Sequence, residues 1–331
     1  MKTSRIALAG IVTASAFTSL AQAITITPTQ DATTLANALL AGSNTGIVVT
    51  GATLAGHEDN FDLLGLASGT LTSSGTYSNA SGTYGVGPGV VLSTGGVQGF
   101  AAQGQTLFAG YGDGDNTAPG NSWAFGTSTF PPPAPVPGET PLPGTPATPA
   151  QEALLDPITG DAATQTFYDH FDVTEMVINF DMQAGFNSVA FNIVFGSEEY
   201  PEFVDSPYID GFGMFLNGIN IAQVGNLPVN IKHPDMSGAI AGTELDGILA
   251  PGNNPILTFA GLVNPTGNTL RFIVADTSDG IYDTTVYFSA LTGVAPPVVP
   301  LPASGWLLGT AAAGLLGRRA LKRQPVRVDA T

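Results

Sequence analysis

Ser188-Val189-Ala190-Phe191-Asn192-Ile193-Val194-Phe195 decides the fold class. Its odd positions are Val, Phe, Ile and Phe, and its even positions include Ala and Asn, so an extended chain turns one large apolar face to a core. Runs of the same kind recur at Ile47–Thr50, Gly89–Ser93, Met176–Phe180, Gly213–Leu216, Asn220–Val224, Asn268–Val274 and Thr285–Phe288. Gly, Asn, Ser and Thr punctuate them, and Asn217-Gly218 is a hairpin turn between two of them. Crossover helices are missing, which disfavours a parallel α/β sheet. The expectation is an all-β fold, a β-sandwich of jelly-roll-like type, because each one-sided strand needs a second sheet to cover it.

Outward from these strands the pattern changes in three places. Thr29 to Ala41 is the one helical stretch, with Asp31 in its first turn, Leu35, Ala38 and Leu39 at helical spacing, and Gly42 as its stop. Tyr77 to Tyr84, rich in Ser, Gly and Thr, reads as a surface loop. Residues 130–149 are Pro-rich and exclude a central strand. We read this stretch as a long insertion in one β domain spanning 24–294, rather than as a boundary between two.

The ends are of another kind. Lys2 and Arg5 precede an apolar run from Ile6 to Leu20, and Ala21-Gln22-Ala23 follows. Residues 1–23 therefore read as a secretory signal helix, cut after the small residues Ala21 and Ala23. At the other end, residues 295–331 hold Val299-Pro300-Leu301-Pro302-Ala303-Ser304, a short apolar stretch from Gly305 to Gly317, and the basic residues Arg318, Arg319, Lys322 and Arg323. A short hydrophobic transmembrane helix with a positive stop is expected there. Its length is marginal against the ~20 residues of a stable span, which suits transient membrane insertion. The order of these parts resembles the VPLPA variant of the PEP-CTERM sorting signal. That resemblance implies a signal peptidase and an exosortase-type transpeptidase as processing partners, and a bacterial cell envelope, surface or extracellular matrix as the destination.

Charge narrows the partners. The whole chain carries −17, with 26 acidic residues against 9 Lys and Arg. Between Ile24 and Pro300 the only Lys and Arg are Lys232 and Arg271. Such a surface cannot neutralise phosphates, so nucleic acid is excluded as a partner. Cysteine is absent, which removes thiol catalysis, Cys-based metal sites and disulfide stabilisation.

Acids concentrate beside strands. Phe195-Gly196-Ser197-Glu198-Glu199-Tyr200-Pro201-Glu202-Phe203 leaves the deciding strand, and Asp210-Gly211-Phe212-Gly213 follows. Asp276-Thr277-Ser278-Asp279-Gly280-Ile281-Tyr282-Asp283 joins two later strands. These stretches, with Gly87-Pro88-Gly89-Val90-Val91-Leu92 upstream, resemble the choice-of-anchor L domain over about Asp31 to Gly293. The resemblance implies a bacterial surface module with an anchor and no established activity.

Read as chemistry, Asp276, Asp279, Asp283, Glu198, Glu199 and Asp210 are candidate metal ligands. Calcium takes 6–8 oxygens, and loops between strands offer carboxylates together with backbone carbonyls. The same residue types also favour solvated turns. Asp113-Gly114-Asp115-Asn116 is a shorter candidate. A glycoside hydrolase would need two carboxyls facing one cleft at fixed separation, for instance one of Glu198 or Glu199 with Asp210 or Asp276. His57, His170 and His233 are scattered and lie near no nucleophile-elbow pattern, which disfavours serine hydrolysis and zinc. Tyr200, Phe203, Tyr208, Phe212 and Tyr282 flank the acidic loops, where exposed rings would stack on sugars; Phe212 and Phe215 read instead as strand interior. The reading is therefore an exported, non-enzymatic, surface- or matrix-anchored structural or adhesive module with calcium as its candidate cofactor and extracellular polysaccharide as its candidate partner. The alternative is a secreted calcium-dependent polysaccharide-active enzyme.

Overall fold

The computed structural model describes residues 24–41, 45–56, 58–60, 70–95, 97, 146–161, 164, 166–201, 203–238, 247–278, 280 and 283–296. The signal segment, the Asp113–Asn116 stretch, most of the Pro-rich insertion, Asp279, Tyr282 and the sorting tail with Val299–Ser304 lie outside the described residues. In chain order the elements are β1 (Thr25–Pro28), α1 (Ala32–Leu39), β2 (Ile47–Ala55), β3 (Glu58–Asn60), β4 (Thr70–Thr72), β5 (Ser74–Ser78) and β6 (Gly89–Ser93). After the insertion come α2 (Pro149–Thr159), β7 (His170–Met182), β8 (Ser188–Ser197), β9 (Gly211–Leu216), β10 (Ile219–Asn220), β11 (Gln223–Val224) and β12 (Leu227–Asn230). The chain continues through β13 (Met236–Gly238), β14 (Gly247–Leu249), β15 (Leu257–Leu262), β16 (Asn268–Thr277) and β17 (Thr284–Val294).

Two antiparallel sheets form the sandwich that the alternating strands demand. The first runs β1-β5-β6-β17-β8-β14-β13, with β15 also paired to β8. The second runs β11-β12-β9-β16-β7-β2, with β10 on β9. Strands from before and after the Pro-rich insertion share both sheets. The inner faces meet through Phe191 and Phe288 of the first sheet and Phe212 and Phe272 of the second. Phe272 lies edge-on to Phe288 at 4.7 Å and to Phe191 at 6.0 Å, and Phe212 meets Phe288 at 5.5 Å. All four rings are buried, so this contact is the centre of the core.

Several elements depart from their expected form. The first helix is shorter than 29–41, because Asp31 is its N-cap: Oδ1 accepts from the Thr33 N–H at 3.0 Å and Oδ2 from the Thr34 hydroxyl at 2.8 Å. A second helix, α2, starts where the Pro-rich stretch ends. Thr148 and Gln151 form a capping box and Pro149 occupies the first turn, where its missing N–H costs nothing. Asn220–Val224 is not one strand. The Asn220 side-chain oxygen accepts from the Met214 and Ala222 N–H groups at 3.2 and 3.0 Å and turns the chain between β10 and β11.

Tyr77–Tyr84 is a surface loop only between its ends, with Ser78 and Ala80–Gly82 exposed. Tyr77 and Tyr84 are buried against Tyr287 on the outer face of the first sheet, and the Tyr77 hydroxyl donates to the Phe288 carbonyl at 3.2 Å. Burial pushes the Tyr77 phenol far above its ordinary value. On the outer face of the second sheet, Leu155 and Ile158 of α2 cover Phe215, Ile273 and Ala275. Asn217-Gly218 makes the expected hairpin turn, with φ of 52° and 85°; an Asn and a Gly are the residues that accept two such values in succession.

Candidate functional site

Side-chain parity carries the apolar interior toward one end of the sandwich and then changes its chemistry. Along β16 the inward row is Leu270, Phe272, Val274 and then Asp276. On β7 it is Phe180, Ile178 and Met176, then Thr174 and Asp172. On β9 the row of Leu216, Met214 and Phe212 ends in Asp210. Phe195 of β8 gives way to Ser197, Val286 of β17 to Thr284, and Leu92 of β6 to Thr94. The pairings Ala275↔Gly211, Asp276↔Phe171, Thr284↔Ser197 and Thr285↔Ser93 put all these termini at the same end. Six strands from two sheets thus close their common core with a polar layer, and every member of it is buried.

Hydrogen bonds tie the two sheets together there. Asp210 accepts from the Thr277 N–H through Oδ1 at 2.9 Å and from the Thr284 hydroxyl through Oδ2 at 2.7 Å. One carboxylate therefore spans the end of β16 and the start of β17. The Thr94 hydroxyl accepts from the Thr284 N–H at 2.9 Å and lies 3.4 Å from Asp283 Oδ1. The Thr277 hydroxyl donates to the Ile209 carbonyl at 2.8 Å. Two irregularities shape the corner: the β7–β16 register shifts between Val274 and Asp276, and Asp172 has a φ of 47°. Aspartate tolerates that left-handed value better than most residues.

Asp276 is the anomaly. It is 0 % exposed, and neither of its carboxylate oxygens has a hydrogen-bond partner. Burial, and then the charges of Asp210, Asp283 and Asp172, push its carboxyl well above the ordinary carboxylate range. The Thr94 hydroxyl works weakly in the other direction; its hydrogen-bond geometry is to Asp283, so Asp276 gains no direct bond from it. The Thr174 hydroxyl, on the inward row two residues from Asp172, is also buried without a partner. Arg271, one of two Lys or Arg residues between 24 and 300, is committed to Glu175 at 2.8 Å on the other face of β16.

Of the residues singled out in the sequence, Asp210, Asp276 and Asp283 share this layer, where the charges of Asp210 and Asp283 act on Asp276, although among the described residues no three of its carboxylates bring ligand oxygens within 4.8 Å of one another. Glu198 and Glu199 follow β8 at the same end and are buried, but neither is among the groups that act on Asp276. Asp279 lies outside the described residues. Asp172, Thr94, Thr174 and Thr284 escaped notice. Their signal was a polar residue in a core-facing register, readable for Asp172 by continuing the Phe180–Met176 alternation backwards.

A second cluster sits on α2. Ligand atoms of Glu152, Asp156 and His170 lie within 4.8 Å of one another beside a concavity of about 580 Å³. Here the histidine is already satisfied. His170 Nδ1 is bonded to Glu152 Oε2 at 2.5 Å, Nε2 to the Thr159 hydroxyl at 2.7 Å, and Glu152 Oε1 accepts from the His170 N–H at 3.0 Å. Both imidazole nitrogens are used, so the arrangement fastens α2 to β7 and leaves no imidazole lone pair for a metal. Among the sequence's other candidates, Phe203 stacks edge-on to Tyr208 at 5.7 Å and the Tyr200 hydroxyl donates to the Met236 carbonyl at 3.2 Å; both contacts are loop packing.

Fold and site together define a β-sandwich module with a sealed acidic end. Residues 140–244 match the family model of the choice-of-anchor L domain. The match begins within the Pro-rich stretch before α2 and runs past β13, so it contains Asp172, Glu198, Glu199 and Asp210, whereas Thr94, Asp276 and Asp283 lie outside it. No curated protein and no solved structure matches the chain. Among the described residues no helix is long and apolar enough to cross a membrane.

Proposed function

We propose that the chain is an exported bacterial module, anchored at the cell surface or in the extracellular matrix, whose work is structural or adhesive within extracellular polysaccharide. The observation that carries this reading is the withdrawal of its acids into the fold. A polysaccharide-active enzyme needs carboxyls that a sugar can reach. The residues such an enzyme would draw on here, Asp276, Asp210, Glu199 and Glu198, are 0, 1, 2 and 7 % exposed. The match over residues 140–244 supports the same reading. Export through a signal cut after Ala21 and Ala23, and handling of the Val299–Ser304 motif by an exosortase-type transpeptidase, complete the route.

The test is fractionation of a bacterium that encodes this sorting system, producing the full chain and a version lacking residues 297–331. The full chain is expected in the envelope or matrix fraction, shortened at both ends, and the truncated one in the medium. Cytoplasmic retention of both, or an identical distribution, would overturn the proposal.

A further inference from the structure

We propose that the buried end of the sandwich is a divalent-cation centre, built for calcium from Asp276, Asp210, Asp283 and Asp172, that fastens one sheet to the other. The donor set is all oxygen: carboxylates, with the Thr94 and Thr174 hydroxyls in the same layer. Hard cations with flexible coordination take such sets, while the absence of sulfur and imidazole disfavours zinc and copper.

The argument does not rest on acidity alone. A buried carboxylate with no hydrogen bond is among the most costly groups a fold can keep, and natural folds retain one when something outside the polypeptide completes it. Asp276 is such a group, fully buried with both oxygens unpartnered. The unpartnered Thr174 hydroxyl on the neighbouring strand is a second. The polypeptide has little with which to answer them, since Lys232 and Arg271 are its only Lys and Arg between 24 and 300 and Arg271 is taken by Glu175. The four carboxylates come from both sheets: Asp172 and Asp276 from β7 and β16, Asp210 from the approach to β9, and Asp283 from the approach to β17. An ion among them would link the sheets where the apolar core stops. This goes beyond the proposed function, and neither depends on the other.

The test is thermal unfolding of the mature chain after removal of metal with chelator, followed by titration with calcium chloride and, separately, magnesium and manganese chloride. An ion bound by the native state alone raises the midpoint by about 5–10 °C at a hundredfold excess over its Kd in a domain of this size. Asp276→Asn is expected to abolish the calcium-dependent rise without lowering the midpoint of the metal-free protein, since it removes a buried carboxyl that has no bond to lose. Glu152→Gln, in the α2 cluster, is expected to keep the rise. Because Asp276→Asn can fail to fold, Asp283→Asn provides a second variant, and equilibrium dialysis of calcium against the unaltered chain is expected to show one bound ion. No rise with any of the three cations, a rise retained in Asp276→Asn, a rise lost only in Glu152→Gln, or no bound calcium would each overturn the proposal. A rise with magnesium or manganese but not calcium would overturn its choice of ion. A cytoplasmic chain that still binds calcium would sink the proposed function and leave the cation centre standing.

Discussion

Asp210 holds the two sheets together through one side chain, and replacing it separates geometry from charge. In Asp210→Ala the Thr277 N–H and the Thr284 hydroxyl, both buried, lose their acceptors at 2.9 and 2.7 Å. Hydrogen bonds to a charged group contribute ~1.5–3 kcal/mol each, so the two together are worth about 3–6 kcal/mol. Removing one of the like charges that press on Asp276 returns part of this, leaving a net loss of about 2–4 kcal/mol in metal-free protein. Asp210→Asn keeps an oxygen for the Thr277 N–H and presents an amide that donates to the Thr284 hydroxyl oxygen, while the charge disappears. Its loss in chelator is expected to stay below about 1 kcal/mol. The assay is urea unfolding followed by far-UV circular dichroism in chelator. At ~2–3 kcal/mol per molar, the alanine variant unfolds about 1 M earlier than the unaltered chain. Equal losses in the two variants, or an alanine variant within 1 kcal/mol of the unaltered chain, would refute the bridging role.

Three further outcomes test the frame around the site. Phe272→Ala removes the ring that meets both Phe288 and Phe191 and should cost about 3–5 kcal/mol in the same urea assay; a loss under 1 kcal/mol would place the core elsewhere. Gly89→Ala puts a methyl group into the Phe288 carbonyl across the β6–β17 pair, so it should destabilise by about 1–3 kcal/mol, and a neutral result would contradict that register. Thr148→Ala breaks the capping box of α2 at a cost of about 1 kcal/mol, and hydrogen exchange should show its first turn opening faster while β16 stays protected.

How far the sequence reaches depends on the range of the physics involved. The Val189–Phe195 alternation is local, and so is the Asn217-Gly218 turn, and both could be read without the fold. The acids of the 196–210 and 276–283 stretches were visible as clusters because they are dense in sequence. What no local reading supplies is that Asp276 and Asp210 stand together, a consequence of β9 pairing with β16 across some sixty residues of chain. Asp172 was hidden differently. It lies between His170 and Met176, where polar residues look like a strand's beginning, and only its place on the inward row, near Asp276 across the β7–β16 register shift, gives it meaning. Thr94 and Thr284 carry no charge to draw attention, and their role appears only through their bonds. The α2 helix was masked by the prolines before it, although the Thr148-to-Gln151 spacing and Pro149 form a helix start that favourable propensity alone would not have marked. Ser and Gly around Tyr77 and Tyr84 suggest solvent, whereas the two rings pack against Tyr287, Tyr77 edge-on and Tyr84 tilted.

The most direct test of the cation centre is a crystal structure of the mature chain grown in calcium. The account predicts one ion within about 2.3–2.6 Å of an Asp276 oxygen, with oxygens from Asp210, Asp283 or Asp172 completing its shell and both sheets represented among the ligands. Well-ordered density with no ion, in which Asp276 is hydrogen-bonded to protein or water, would contradict it.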